Sequence, residues 1–110
     1  MNEIDWGKVV EAVGFTLKPW QIKALENSDS TVWIAISGRN EGMKIVRIIR
    51  FLVVFKHSYE LPKKDFLVEA NKDFAINYFE TMVELHDRLK DAGIKVRELK
   101  NTEEYREDNE

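Results

Sequence analysis

Cysteine is absent from the 110 residues. No disulfide framework can brace the fold and no thiolate can hold zinc, so the natural setting is a reducing compartment, the cytoplasm. Histidine is scarce: His57 and His86 are too few for a histidine metal site, and no metal is expected. Long apolar runs are missing as well. The longest, Phe51-Leu52-Val53-Val54-Phe55, falls far short of the ~20 residues that span a bilayer. The opening residues, Met1-Asn2-Glu3-Ile4-Asp5-Trp6, carry acids where a secretory leader carries bases followed by an apolar stretch, so neither export nor membrane insertion is expected. An excess of positive charge is lacking too. A net charge of -3 gives no general attraction to nucleic acid, and any such binding would need a local basic patch.

What is present suits one folded domain. Apolar residues make up 44% and charged residues 34% of the chain, enough for a core and a well-solvated surface. At this length one core is expected, over residues 1 to 100, followed by an acidic flexible tail over residues 101 to 110.

The pattern along the chain alternates helices and strands. Ile4, Val9, Val10 and Val13 fall on one helical face, and Gly14 supplies a C-terminal cap. Pro19 fits the first turn of a second short helix with Trp20, Ala24 and Leu25 inward. Thr31-Val32-Trp33-Ile34-Ala35-Ile36 reads as a central strand buried on both faces. It runs into the glycine-bearing loop Ser37-Gly38-Arg39-Asn40-Glu41-Gly42 and a helix over residues 43 to 55. Phe66-Leu67-Val68 reads as a second strand, residues 72 to 92 as a helix ended by Gly93, and Ile94-Lys95-Val96-Arg97-Glu98-Leu99 as a half-exposed third strand. The expected fold class is therefore α/β, with three parallel strands over residues 31 to 37, 65 to 69 and 94 to 99, the Trp33 strand in the centre, and two N-terminal helices.

A glycine loop between a buried strand and a helix is the setting of a phosphate cradle, because backbone N–H groups and the positive helix end converge there. The segment Ser37-Gly38-Arg39-Asn40-Glu41-Gly42-Met43-Lys44 resembles the Walker A loop of phage terminase large subunits, and more distantly that of superfamily-two helicases. Phe15-Thr16-Leu17-Lys18-Pro19-Trp20-Gln21 is similar to the stretch whose glutamine contacts adenine in these families, and Phe66-Leu67-Val68-Glu69-Ala70-Asn71 to their next strand. The resemblance spans roughly residues 6 to 100 and implies a small three-layer P-loop-like fold from a DNA-packaging machine, phage or prophage encoded and working in the host cytoplasm. It implies nucleotide or phosphate contacts at Gln21, Gly38, Arg39, Gly42 and Lys44.

The loop departs from that pattern where chemistry is done. The family places a phosphate lysine and then a magnesium-holding serine or threonine directly after the second glycine; here Met43 and Lys44 stand there, and Glu41 adds a negative charge. No acidic magnesium strand, catalytic glutamate or arginine finger follows within these residues. No catalytic residue can be assigned, no cofactor is expected, and ATP with magnesium is the single candidate ligand of that kind.

Lys44, Arg47 and Arg50 share a helical face, with Arg39 just before it. Two readings stay open: a ridge for polyanions such as DNA, or the solvated side of a helix whose other side is core. Glu80, Glu84, Asp87 and Asp91 form an acidic stripe that is either plain solvent exposure or a dock for a basic partner. Two functions follow. One is a catalytically incomplete, terminase-like ATPase domain acting as a fragment or through a partner. The other is a small α/β protein-interaction module, a regulator or inhibitor without a nucleotide role. A protein partner is expected in either case, and self-association through open sheet edges is compatible with both.

Overall fold

Asp5 begins the first helix: its carboxylate accepts the N–H of Lys8 at 3.2 Å, satisfying one of the donors that a helix start leaves open. In the computed structural model, which describes residues 4–14, 16–26 and 41–106, this helix, α1, runs Trp6–Val13 with Val9 and Val13 buried. Gly14 ends it at φ 80°, in the left-handed region where a side chain is strained. Helix α2 is Pro19–Glu26. Its first residue needs no hydrogen-bonded N–H, and the third, Gln21, reaches back to accept the N–H of Lys18 at 2.7 Å, as the second half of a capping box does.

Helix α3 is Glu41–Val53 and α4 is Lys72–Asp91. Met43, Val46, Ile48, Ile49 and Leu52 recur at helical spacing and are all buried, as are Met82, Val83, Leu85 and Leu89 on α4. The four α-helices of the described residues pack in a ring, α1 on α2, α2 on α3, α3 on α4 and α4 back on α1. Burying a Leu or Ile side chain contributes ~1.5–3 kcal/mol, so this shared core is the main source of stability. A Schellman motif closes α4: Gly93 sits at φ 83°, its N–H bonds Lys90 O at 3.0 Å, and Ile94 N–H bonds Leu89 O at 3.0 Å. No helix among the described residues is long and apolar enough to cross a membrane.

The sheet corrects the expected α/β architecture. Among the described residues the chain is mainly helical, and its sheet has two strands of two residues, β1 (Tyr59–Glu60) and β2 (Leu99–Lys100), paired in parallel with Tyr59 opposite Leu99. It is no three-layer P-loop-like fold built on three parallel strands. The strand expected at residues 65 to 69 is replaced by two turns of 3-10 helix, Lys64–Phe66 and Glu69–Asn71. The reason is local: Phe66 N–H bonds Lys63 O, Leu67 N–H bonds Lys64 O and Asn71 N–H bonds Val68 O. These bonds occupy the donors that a strand ladder would use. Three apolar residues bracketed by Lys63, Lys64, Asp65 and Glu69 do not outweigh them. Of the strand expected at 94 to 99 only Leu99 belongs to a strand, residues 94 to 98 having no regular structure, and β1 carries no strand pattern in the sequence. The strand expected at 31 to 37 lies outside the described residues.

After β2 the chain turns back over the sheet. Asn101 takes a left-handed conformation, φ 61°, and its side-chain amide donates to Glu60 at 2.7 Å and to Leu61 O at 3.3 Å. Tyr105 is 2% exposed, donates its hydroxyl to Pro62 O at 2.8 Å, and meets the Phe79 ring at 5.4 Å between centroids.

Candidate functional site

The start of α3 brings together two of the residues assigned to nucleotide. The Gln21 amide donates to Gly42 O at 3.1 Å while its oxygen holds Lys18 N–H at 2.7 Å, and the side chain is buried. Both ends of the amide are therefore engaged, one on α2 and one on α3. Gly38 and Arg39 lie outside the described residues.

The three cations of α3 face different surroundings. Lys44 crosses to α4 and donates to the Asn77 side chain at 2.9 Å. Arg47 is exposed. Arg50 turns inward, donates to Leu25 O near the end of α2, and lies 5.7 Å from the Trp6 ring centroid. A cation at a helix C-terminus is favoured by the backbone dipoles, and burial lowers the Arg50 pKa. The geometry gives Arg50 a fastening role between α2, α3 and α1, and leaves Arg47 as the member of the row that points to solvent. Near Arg47, burial raises the Tyr78 hydroxyl pKa, with the guanidinium pulling it down and Tyr59 adding to the rise.

Two of the four acids in the stripe of α4 are paired. Glu84 takes Arg88 at 2.6 Å, and Arg88 also donates to Val13 O at 2.5 Å, fastening the end of α1. Asp87 accepts from Arg106 and lies 3.0 Å from Nδ1 of the buried His86. Glu80 and Asp91 remain exposed. No group of three or more potential ligands able to hold a metal occurs among the described residues.

The feature that sequence reasoning missed is apolar. Phe66, Val68 and Phe74 are 76%, 67% and 63% exposed. They sit within nine residues, on the 3-10 turns and the first turn of α4. Behind them runs a chain of rings: Phe74 is 6.2 Å from Tyr78, Tyr78 is 5.7 Å from Phe79 edge to face, and Phe79 leads to Tyr105. Such spacings suit aromatic packing, so exposed Phe74 is the outer member of a row of rings in contact that ends at buried Tyr105. The sequence signal for this surface was an apolar triplet too short and too closely bracketed by charge to make a central strand.

Comparison with known proteins finds no family model, curated protein or solved structure that matches this chain.

Proposed function

We propose that this chain is a small helical interaction module that receives a protein partner on the face formed by Phe66, Val68 and Phe74. The observation that carries the reading is their exposure on one short stretch. Aromatic side chains bring ~150–250 Å² each, so the two mostly exposed phenylalanines together with the smaller Val68 offer on the order of 400 Å². That matches the largest apolar patches of ordinary monomers, ~300–600 Å² and often functional. It is also about half of the ~800 Å² that one side of a stable interface buries. A partner presenting large apolar side chains, bound weakly and reversibly, fits that area better than a permanent dimer of this chain.

Two of the residues that the resemblance ties to nucleotide, and one from the candidate polyanion ridge, have structural employment that supports this reading: Gln21 joins α2 to α3, Lys44 joins α3 to α4, and Arg50 of the ridge fastens the end of α2. Peptides selected by display against the folded chain should carry at least two large apolar side chains. Their affinity should fall tenfold or more in the Phe66→Ser/Phe74→Ser double variant. Selection of charged peptides indifferent to the double variant would overturn the reading, and concentration-dependent sedimentation abolished by it would transfer the face to self-association.

A second reading, a catalytically incomplete terminase-like chain, has one observation in its favour. Gln21 lies against Gly42, 3.1 Å from amide to carbonyl, as a glutamine that contacts adenine would lie close to a phosphate loop. Calorimetry with ATP and magnesium tests it. Micromolar, magnesium-dependent binding supports this second reading, and its absence supports the first.

A further inference from the structure

Away from the Phe66 face, a cleft of about 540 Å³ opens between the start of α1, the end of α3 and the chain after Gly93. Its volume falls within the ~300–1,000 Å³ usual for small-molecule sites. Val9, Val53, Val54, Ile94 and Val96 supply apolar lining. The charged groups around it are Asp5, Lys8, Lys56, Lys95 and Arg97, an excess of three positive charges on a chain whose net charge is -3.

Two of those five groups have fixed work. Asp5 caps α1. Arg97 is bound to α3: its N–H bonds Leu52 O at 2.8 Å, its guanidinium donates to His57 O at 2.6 Å and Phe51 O at 3.4 Å, and it stacks 4.0 Å from the Phe51 ring. Two carbonyls near the end of α3, those of Phe51 and Leu52, which would otherwise present negative potential there, are thereby covered. Lys8, Lys56 and Lys95 are exposed and form no ion pair among the described residues. These three set the sign of the cleft.

We propose that this cleft binds an amphiphilic organic anion, a single carboxylate or phosphate head held by Lys8, Lys56 and Lys95 with an apolar body laid on the valine and isoleucine lining. A purely polar anion would leave the lining wet, and an uncharged hydrocarbon would leave the lysines without a counter-charge. The bounded cleft with three free cations suits one small molecule better than a nucleic-acid backbone, which is held through many phosphate contacts.

The test uses the full chain and monomeric decanoate, with decyl phosphate, decanol, decyltrimethylammonium and inorganic phosphate beside it, followed by calorimetry and by amide shifts. Decanoate or decyl phosphate should bind, whichever is tighter naming the head group, with decanol and the ammonium compound at least tenfold weaker and inorganic phosphate silent. Shifts should concentrate on residues 4 to 9, 53 to 56 and 93 to 97. The Lys56→Glu/Lys95→Glu variant alters two exposed side chains and should keep the thermal midpoint while weakening decanoate roughly tenfold, since surface charges a few ångströms apart still interact appreciably in water. Equal binding of decanoate and the ammonium compound, an unaltered affinity in the variant, or shifts confined to residues 66 to 78 would each overturn the assignment. A failure here leaves the Phe66 face untouched, because the two surfaces share no residue.

Discussion

Replacing Gln21 by Met keeps the volume of the side chain and removes both of its hydrogen bonds. The amide is lost from Gly42 O and the acceptor from Lys18 N–H, contacts of 3.1 Å and 2.7 Å around a side chain only 7% exposed. A hydrogen bond in a protein has a net worth of ~0.5–1.5 kcal/mol, with a further cost where a partly buried group loses its partner. The lost cap at the start of α2 belongs to the same range. The expected destabilisation is therefore about 1.5–3 kcal/mol. For a domain of this size each kcal/mol moves the thermal midpoint by ~4–8 °C, so a fall of roughly 6–24 °C is expected. Thermal unfolding followed by circular dichroism reads the midpoint, and urea unfolding supplies the free energy directly. Gln21→Glu separates the two bonds, because it keeps an acceptor for Lys18 and removes the donor to Gly42. A midpoint unchanged in Gln21→Met, together with lost affinity for ATP, would refute the structural role and return Gln21 to nucleotide binding.

Further outcomes follow from other contacts. Gly14→Ala should cost more than Gly93→Ala in urea unfolding. Both residues have positive φ, but a Cβ at Gly14 would lie 2.8 Å from Arg88 Nη1 and push that group off its bond to Val13 O, whereas nothing lies within 4 Å at Gly93; equal costs would refute the fastening of the end of α1 by Arg88. Tyr105→Ala should lose ~3–5 kcal/mol as a large buried ring is removed, and Tyr105→Phe only ~0.5–1.5 kcal/mol for the bond to Pro62 O. A Tyr105→Ala variant as stable as the parent would show the ring to be unburied. Arg50→Met should lower the thermal midpoint without altering retention on heparin, since its guanidinium faces Leu25 O and Trp6; lost retention at unchanged stability would restore the polyanion ridge. The tyrosine titration has a definite sign. Burial raises the folded-state pKa of Tyr78 and of Tyr105, the latter aided by Glu104 and Tyr59. The stability held below the ordinary tyrosine value near 10 should therefore fall as pH rises past it, because the unfolded chain ionises first. Urea midpoints that rise across that interval would contradict it.

The helices were legible because their signals are local. Gly14, Pro19 and Gly93 mark ends within one turn of the residues they serve, and the inward positions of α3 and α4 recur at helical spacing. The sheet was not legible in the same way, because pairing depends on what lies alongside. Tyr59–Glu60 is too short to carry a period, and it becomes a strand because Tyr59 N–H and Leu61 N–H meet Glu98 O and Lys100 O. Phe66-Leu67-Val68 has the composition of a strand but spends its donors in 3-10 turns. For the site, the positions of Lys44, Arg47 and Arg50 on one helix could be read from their spacing. What each one faces is set by α4, by solvent and by α2, and no spacing rule contains that. The exposed Phe66 face left one trace in the sequence, an apolar triplet bracketed by charge, whereas the lysine cleft arises from tertiary arrangement and had no motif to announce it.

The most direct test of the interaction reading is an affinity titration of a display-selected apolar peptide against the parent chain and Phe66→Ser/Phe74→Ser. It is made on proteins first matched in thermal midpoint. Because both rings stand mostly in solvent, the midpoint should hold within a few degrees while the affinity drops tenfold or more. A double variant that binds the peptide as tightly as the parent, or that loses its fold because the two rings were buried after all, would contradict the account.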